Sequence, residues 1–220
     1  MYGFYKKVAS YFSLVKFSHT LFALPFALIG FVLALQEPGV NFEWLLLLKI
    51  VGCMFFARNS AMGFNRYADR EIDARNPRTL FREIPSGKIT PRQAIVFVII
   101  NVVLFLLTAL SINLLCFILG FPALAVLLGY SYTKRYTWLS HYVLGIALGI
   151  APSAAFVAVT GYFTPAILVL SFSVFLWSSN FDILYSLSDE EIDRQQGLHS
   201  VPQKFGRVKA MRISLIGHLL

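Results

Sequence analysis

The sequence predicts an all-α integral membrane protein, a bundle of helices around a central cavity, and three observations carry that prediction. Hydrophobic residues are 57% of the 220 and charged residues 14%, where a soluble domain carries about 25% charged. The mean hydropathy is +0.68, and the apolar residues fall in runs approaching the roughly 20 needed to cross a bilayer. Lys and Arg crowd alternate inter-run segments and are missing from the others. Helices follow because a backbone in lipid must satisfy its own hydrogen bonds, and no alternating barrel pattern is present. The net charge of +8 is therefore a topology signal, not a nucleic-acid signal.

In chain order, residues 1–17 mix Tyr2, Phe4, Tyr5, Tyr11 and Phe12 with Lys6, Lys7 and Lys16, a composition suited to an interfacial helix. It is a poor signal peptide, because the aromatics precede the apolar run and no small-residue cleavage site stands out. Span one is expected over residues 20–36 with Pro25 as a kink, and span two over 44–64. Residues 66–92 form a polar loop in which Pro77, Pro85-Ser-Gly87 and Pro91 preclude one continuous helix. Spans three to six are expected over 93–110, 114–129, 139–159 and 166–183. The apolar run after Arg212 is too short to cross about 30 Å of hydrocarbon, so residues 1–220 are expected to form a single transmembrane domain, truncated within a seventh helix. Cys53 and Cys116 lie inside apolar runs and read as small core residues. The N-terminus and the loops after spans two, four and six hold the cations, which puts them on the cytoplasmic side, of the inner membrane in a bacterium.

Two acidic stretches end apolar runs on that same side. Asn65, Asp69 and Asp73 recur at four-residue steps, so on a helix they share a face. Asp189 and Asp193 lie 120 positions after Asp69 and Asp73, with Asp182 and Tyr185 leading into them. Such oxygen-rich columns suit a hard cation like Mg²⁺, whose shell is completed by substrate phosphates. Four carboxylates facing one mouth repel each other unless metal ions neutralise them. Two Mg²⁺ would then present positive charge to a diphosphate. Arg82, Lys88, Lys134 and Arg135 are loop cations placed to reach the same anion. Arg58 lies within span two, either snorkelling to the interface or facing the polar site to pair with an acid or an anionic ligand. His19, His141, His199 and His218 fit no ligand spacing and receive no role. A bundle rich in Phe below a diphosphate clamp fits a prenyl diphosphate. A divalent-cation transporter or channel also places acids in membrane helices, though its sites tend toward the midplane. A non-catalytic pigment- or lipid-binding protein is a further alternative.

Asn65-xxx-Asp69-xxx-Asp73, Pro85-Ser-Gly87, Tyr132-Thr-Lys134-Arg135 and Asp182-xx-Tyr185-xxx-Asp189-xxx-Asp193 together resemble the UbiA family of intramembrane aromatic prenyltransferases. The branch most resembled is the 4-hydroxybenzoate polyprenyltransferase type, with related menaquinone-pathway enzymes. The resemblance runs from the first span to about Gln203. It implies a nine-helix fold, of which about six spans and part of a seventh are present here. It implies Mg²⁺-dependent transfer of a polyprenyl group to an aromatic quinone precursor, with Asp69, Asp73, Asp189 and Asp193 catalytic. Those four and Asn65 would hold the metal. Lys88 and Lys134 would assist on the diphosphate, Asp182 and Tyr185 would lie near the acceptor, and Arg58, Arg82 and Tyr132 would complete the substrate site. Haem, chlorophyll and homogentisate prenyltransferases are alternatives within the class. The chain departs from many members at Arg66, where an Asp is usual, which removes one acid from the implied set.

Overall fold

The computed structural model describes residues 9–15 and 17–220, with helices and turns and no strand among them. From residue 17 on, ten helices follow in order: α1 (Phe17–Ala34), α2 (Trp44–Ala68), α3 (Arg70–Arg75), α4 (Pro91–Ile112), α5 (Leu114–Thr133), α6 (Ser140–Thr160), α7 (Pro165–Ser186), α8 (Glu190–Gln195), α9 (Val201–Phe205) and α10 (Arg207–Leu219). Five of them, α2, α4, α5, α6 and α7, are long and apolar enough to cross a membrane, and α1 carries a shorter apolar stretch over Ala23–Ala34. All six expected spans are present as helices, within a few residues of their expected ends. The interfacial helix expected over residues 1–17 falls largely outside the described residues. Residues 9–14 are helical, and Leu14 is buried in a small cluster with Ile84, Ile89 and Ala94.

Two boundaries differ from the expectation for local reasons. The third span begins at Pro91, because Thr90 and Gln93 form a reciprocal capping box and proline is preorganised for the first helical position. The second span continues through Asn65 and Arg66 to Ala68, so the first acidic column straddles a helix end. The uncharged turns have clear caps. The Asn113 side chain accepts the Cys116 N–H at 2.7 Å to start α5. Gly161 takes φ 78° to end α6, and Thr164 caps α7 ahead of Pro165.

Helix α6 is the enclosed element. It packs against α1 on one side and α7 on another, and its buried residues include Gly145, Gly149, Ser153 and Ala155. Lipid tails are as apolar as Leu, so helices associate there through close packing of small residues rather than through hydrophobic expulsion. A Cβ on Gly145 would strike Ser179 Oγ and come within 2.6 Å of the Phe175 carbonyl oxygen. One on Gly149 would sit 2.8 Å from the Ser171 carbonyl oxygen, and one on Gly30 would collide with the Pro152 carbonyl. Ser153 and Ser171 add a 2.6 Å hydroxyl pair across the α6–α7 seam. The outward faces carry lipid-compatible residues such as Val96, Ile99, Val103 and Leu107. Cys53 and Cys116 are both free thiols. Because successive spans alternate in direction, the C-terminal ends of α2, α5 and α7 and the N-terminal ends of α4 and α6 share one end of the bundle.

Gly145→Val forces side-chain atoms into the α7 backbone. The expected loss is about 1–3 kcal/mol of stability, read as a lower unfolding temperature in detergent. Gly129→Ala is the control, since nothing lies within 4 Å of its added Cβ. Equal unfolding temperatures for the two variants would contradict this packing.

Candidate active site

The first acidic column is built at a break in the chain. Helix α2 ends at Asp69, which adopts φ −91°, ψ 7° and begins the six-residue α3. The four-residue register survives the break, because Asp69 N–H donates to Asn65 O at 2.9 Å and Asp73 N–H to Asp69 O at 2.8 Å. Asn65 Nδ2 donates to Asp69 Oδ2 at 3.0 Å. Asp69 Oδ1 accepts from Arg135 at 3.2 Å. Asp73 is buried, and Arg82 Nη1 contacts both its oxygens at 2.7 and 2.8 Å.

The second column repeats the device. Helix α7 ends at Ser186, and Asp189 is the N-cap of the six-residue α8. Asp193 N–H donates to Asp189 O at 2.8 Å. An N-cap Asp usually accepts from its own helix, yet neither Asp69 nor Asp189 makes a side-chain cap bond. Their carboxylates are turned to other partners instead. Arg78, from the loop after the first column, reaches Asp189 Oδ2 at 2.7 Å, and Lys134 reaches Asp193 Oδ1 at 2.6 Å. Adjacent residues Lys134 and Arg135 therefore hold one acid from each column. The four acids and their four cations form one continuous charged mouth.

Electrostatics at the mouth follow from burial. Burial pushes the Asp69 carboxyl above the ordinary carboxylate range, opposed by its bond from Arg135 and reinforced by the Asp73 charge. Burial raises Asp193 likewise, against the pull of Lys134. Among the described residues no three Asp, Glu, His or Cys side chains converge into a ready metal cage. Asp189 Oδ1 and Asp193 Oδ2, however, are buried without a hydrogen-bond partner. Buried carboxylate oxygens without partners are costly, and oxygen-only donors of this kind fit a hard divalent cation. The residues present fit Mg²⁺ on condition that the loop cations release their acids.

The remaining expected site residues are placed unevenly. Arg58 is partly buried with its Nε unpartnered, and it forms no ion pair with an acid. Tyr132 is 39% exposed, edge-on to Phe64 at 5.7 Å and 5.3 Å from the Arg135 guanidinium. Asp182 accepts from His141 at 2.7 Å. Lys88 and Tyr185 are exposed and make no hydrogen bond to the four acids.

Three further groups belong to this end of the bundle. Arg66 is 5% exposed with an unpartnered Nε, and Asp69, Asp73, Glu83 and Arg82 are the charges that face it. Its signal in the sequence was its place inside the column, which reads as a lost acid and not as a buried cation. Arg78 was one of several loop arginines with nothing to single it out. His141 joins the site through contacts 41 and 60 residues away, which no spacing rule reveals.

Residues 23–220 match the UbiA prenyltransferase family. The chain is 32% identical over 179 residues to a 4-hydroxybenzoate octaprenyltransferase of Citrobacter koseri, covering 81% of this chain and 62% of that protein. It thus spans about three fifths of that relative's length. Its fold is similar to the apo structure of a UbiA homolog from Aeropyrum pernix K1, with a TM-score of 0.83 and 30% identity over 92% of this chain and 75% of that one. A UbiA homolog from Archaeoglobus fulgidus bound to GPP and Mg²⁺ shares the fold at 22% identity, with a TM-score of 0.78 over 94% of this chain and 73% of that one. With its two acidic columns at one end of a membrane-spanning helical bundle, the chain belongs to the UbiA prenyltransferase family.

Proposed function

We propose that this protein transfers a polyprenyl group from a prenyl diphosphate to an aromatic quinone precursor of the 4-hydroxybenzoate or naphthoate kind. The observation that carries the reading is the Arg78–Asp189 bridge at 2.7 Å, which joins the loop of one acidic column to the other and makes a single mouth of two motifs. In this reading Asn65, Asp69, Asp73, Asp189 and Asp193 would hold Mg²⁺, which would supply charge neutralisation for a departing diphosphate. Arg78, Arg82, Lys134 and Arg135 leave their acids for the diphosphate oxygens, with exposed Lys88 assisting from the loop edge. Permanent guanidinium charges suit that role because they bind phosphate oxygens in a fixed fork.

The chemistry asked of these residues is electrostatic. The carbon–oxygen bond to the diphosphate breaks with its electron pair on oxygen, and preorganised cations stabilise that developing charge. The allylic carbon then bonds to the aromatic ring, which loses a proton to restore aromaticity. Arg58, two turns below Asn65 on α2, offers a partly buried positive charge to an acidic acceptor. In this reading Asp182 and Tyr185 lie near the acceptor, and Tyr132 completes the substrate site beside Arg135. The positive-inside rule, applied to the loop cations, supports a mouth on the cytoplasmic face.

Asp69→Ala and Asp189→Ala are each expected to lower turnover more than tenfold at saturating Mg²⁺ while leaving the protein inserted, since a tenfold loss is only about 1.4 kcal/mol of barrier. Assay of membranes with labelled prenyl diphosphate and 4-hydroxybenzoate checks this, and a variant keeping more than a tenth of wild-type turnover sinks the two-column reading.

Proton linkage gives an independent test. Carboxyls held above their ordinary range keep protons to higher pH, and a divalent cation competes with those protons. Magnesium binding is expected to weaken as pH falls, with net proton release that grows toward acid pH and fades as pH rises. Calorimetry in two buffers of different ionisation heat reads this release directly. Buffer-independent heats at acid pH would contradict it.

A further inference from the structure

His141 stands at the start of α6 and is only 3% exposed. An imidazole so buried is costly unless its nitrogens are paired. Both are. Nδ1 lies 2.7 Å from Asp182 Oδ2 on α7, and Nε2 accepts the backbone N–H of Val201, the first residue of α9, at 3.3 Å. A backbone amide can only donate, so Nε2 must present its lone pair. The ring is then neutral with its single proton on Nδ1, and that proton is donated to Asp182.

This fixes the carboxylate as well as the ring. Asp182 uses Oδ2 for His141 and makes no hydrogen bond through Oδ1 among the described residues, and its side chain is 25% exposed. Turning the carboxylate would break the 2.7 Å bond, so the direction of Oδ1 is set. Tyr130, at the end of α5, lies within electrostatic reach of Asp182, Asp69 and Arg66. In the reading above Asp182 lies on the acceptor side, about two to three turns along the chain before Asp189 and Asp193, so its free oxygen is the one left for the acceptor.

We propose that His141 is a positioning residue: it holds Asp182 with Oδ1 presented to the hydroxyl of the aromatic acceptor, and the Val201 amide sets the tautomer that lets it do so. This rests on the prenyl-transfer reading above. An acceptor hydroxyl donating to a fixed carboxylate is oriented by it, and orientation of this kind carries a large share of a bimolecular barrier. The arrangement also ties acceptor binding to the docking of α9, since the amide that selects the tautomer comes from that helix. The same contacts would equally clamp α6, α7 and α9 together with no part in substrate binding, and the two roles separate experimentally.

Histidine ¹⁵N spectra of the purified protein, with His141 identified by its loss in His141→Ala, are expected to show protonated Nδ1 and bare Nε2. The opposite tautomer overturns the inference. Kinetically, His141→Ala is expected to raise the KM of the acceptor about tenfold, with the KM of the prenyl diphosphate nearly unchanged; loss of so buried a ring also lowers the unfolding temperature, so the split between the two KM values is the readout. His141→Asn, whose amide nitrogen takes the place of Nδ1 and donates, is expected to recover most of that loss, and His141→Gln is not. An unchanged acceptor KM in His141→Ala overturns the positioning role, as does a parallel rise in both KM values. Failure of His141→Asn to improve on alanine overturns it too. A wild-type protein that transfers no prenyl group is a different failure: it overturns the function reading and the acceptor role with it.

Discussion

Carboxylates at the edge of a membrane core must be matched by opposite charge, and here the match is one to one. Asp69 meets Arg135, Asp73 meets Arg82, Asp189 meets Arg78 and Asp193 meets Lys134. All four cations come from the loops after α2 and α5, so the conformation of those loops and the ionisation of the acids depend on each other. Removing one member of such a pair leaves a charge uncompensated, and for buried pairs that loss outweighs whatever the intact pair contributes. The pairing is strongest in consequence for Asp73 and Asp193, the two acids that are almost wholly buried.

The repeated geometry explains how two distant stretches come to share a mouth. Each long helix ends, an aspartate begins a six-residue helix, and a second aspartate follows one turn later. In both copies the aspartate at the break declines the cap bond available to it, which leaves its oxygens for loop cations. Lys134 and Arg135 then link the copies by taking one acid each. Arg66 adds a buried positive charge facing Asp69, Asp73 and Glu83, a counter-ion set within the column itself.

Much of this was legible in the sequence, for a physical reason. Span positions follow from hydropathy alone, because lipid imposes one solution on the backbone. The acidic columns follow from four-residue spacing, and the register holds even across the break at Asp69. What the sequence does not contain is the partnering of loop cations. Arg78 and Lys88 look alike in composition, yet Arg78 closes on Asp189 while Lys88 is exposed without such a contact. The small-residue seam of α6 and the His141–Asp182 contact are likewise tertiary. Their partners lie on α7 and α9, and no local pattern announces them.

In the proposed reading, loop cations stand in for a divalent ion on the acids and then pass to the diphosphate. Calorimetric titration of Arg78→Ala with Mg²⁺, alone and with inorganic diphosphate, tests it most directly. With Asp189 freed of its guanidinium, the account predicts tighter binding of Mg²⁺ alone than in the wild type and weaker binding of the diphosphate in the presence of Mg²⁺. Weaker or unchanged binding of Mg²⁺ alone, or diphosphate affinity equal to the wild type, would contradict it.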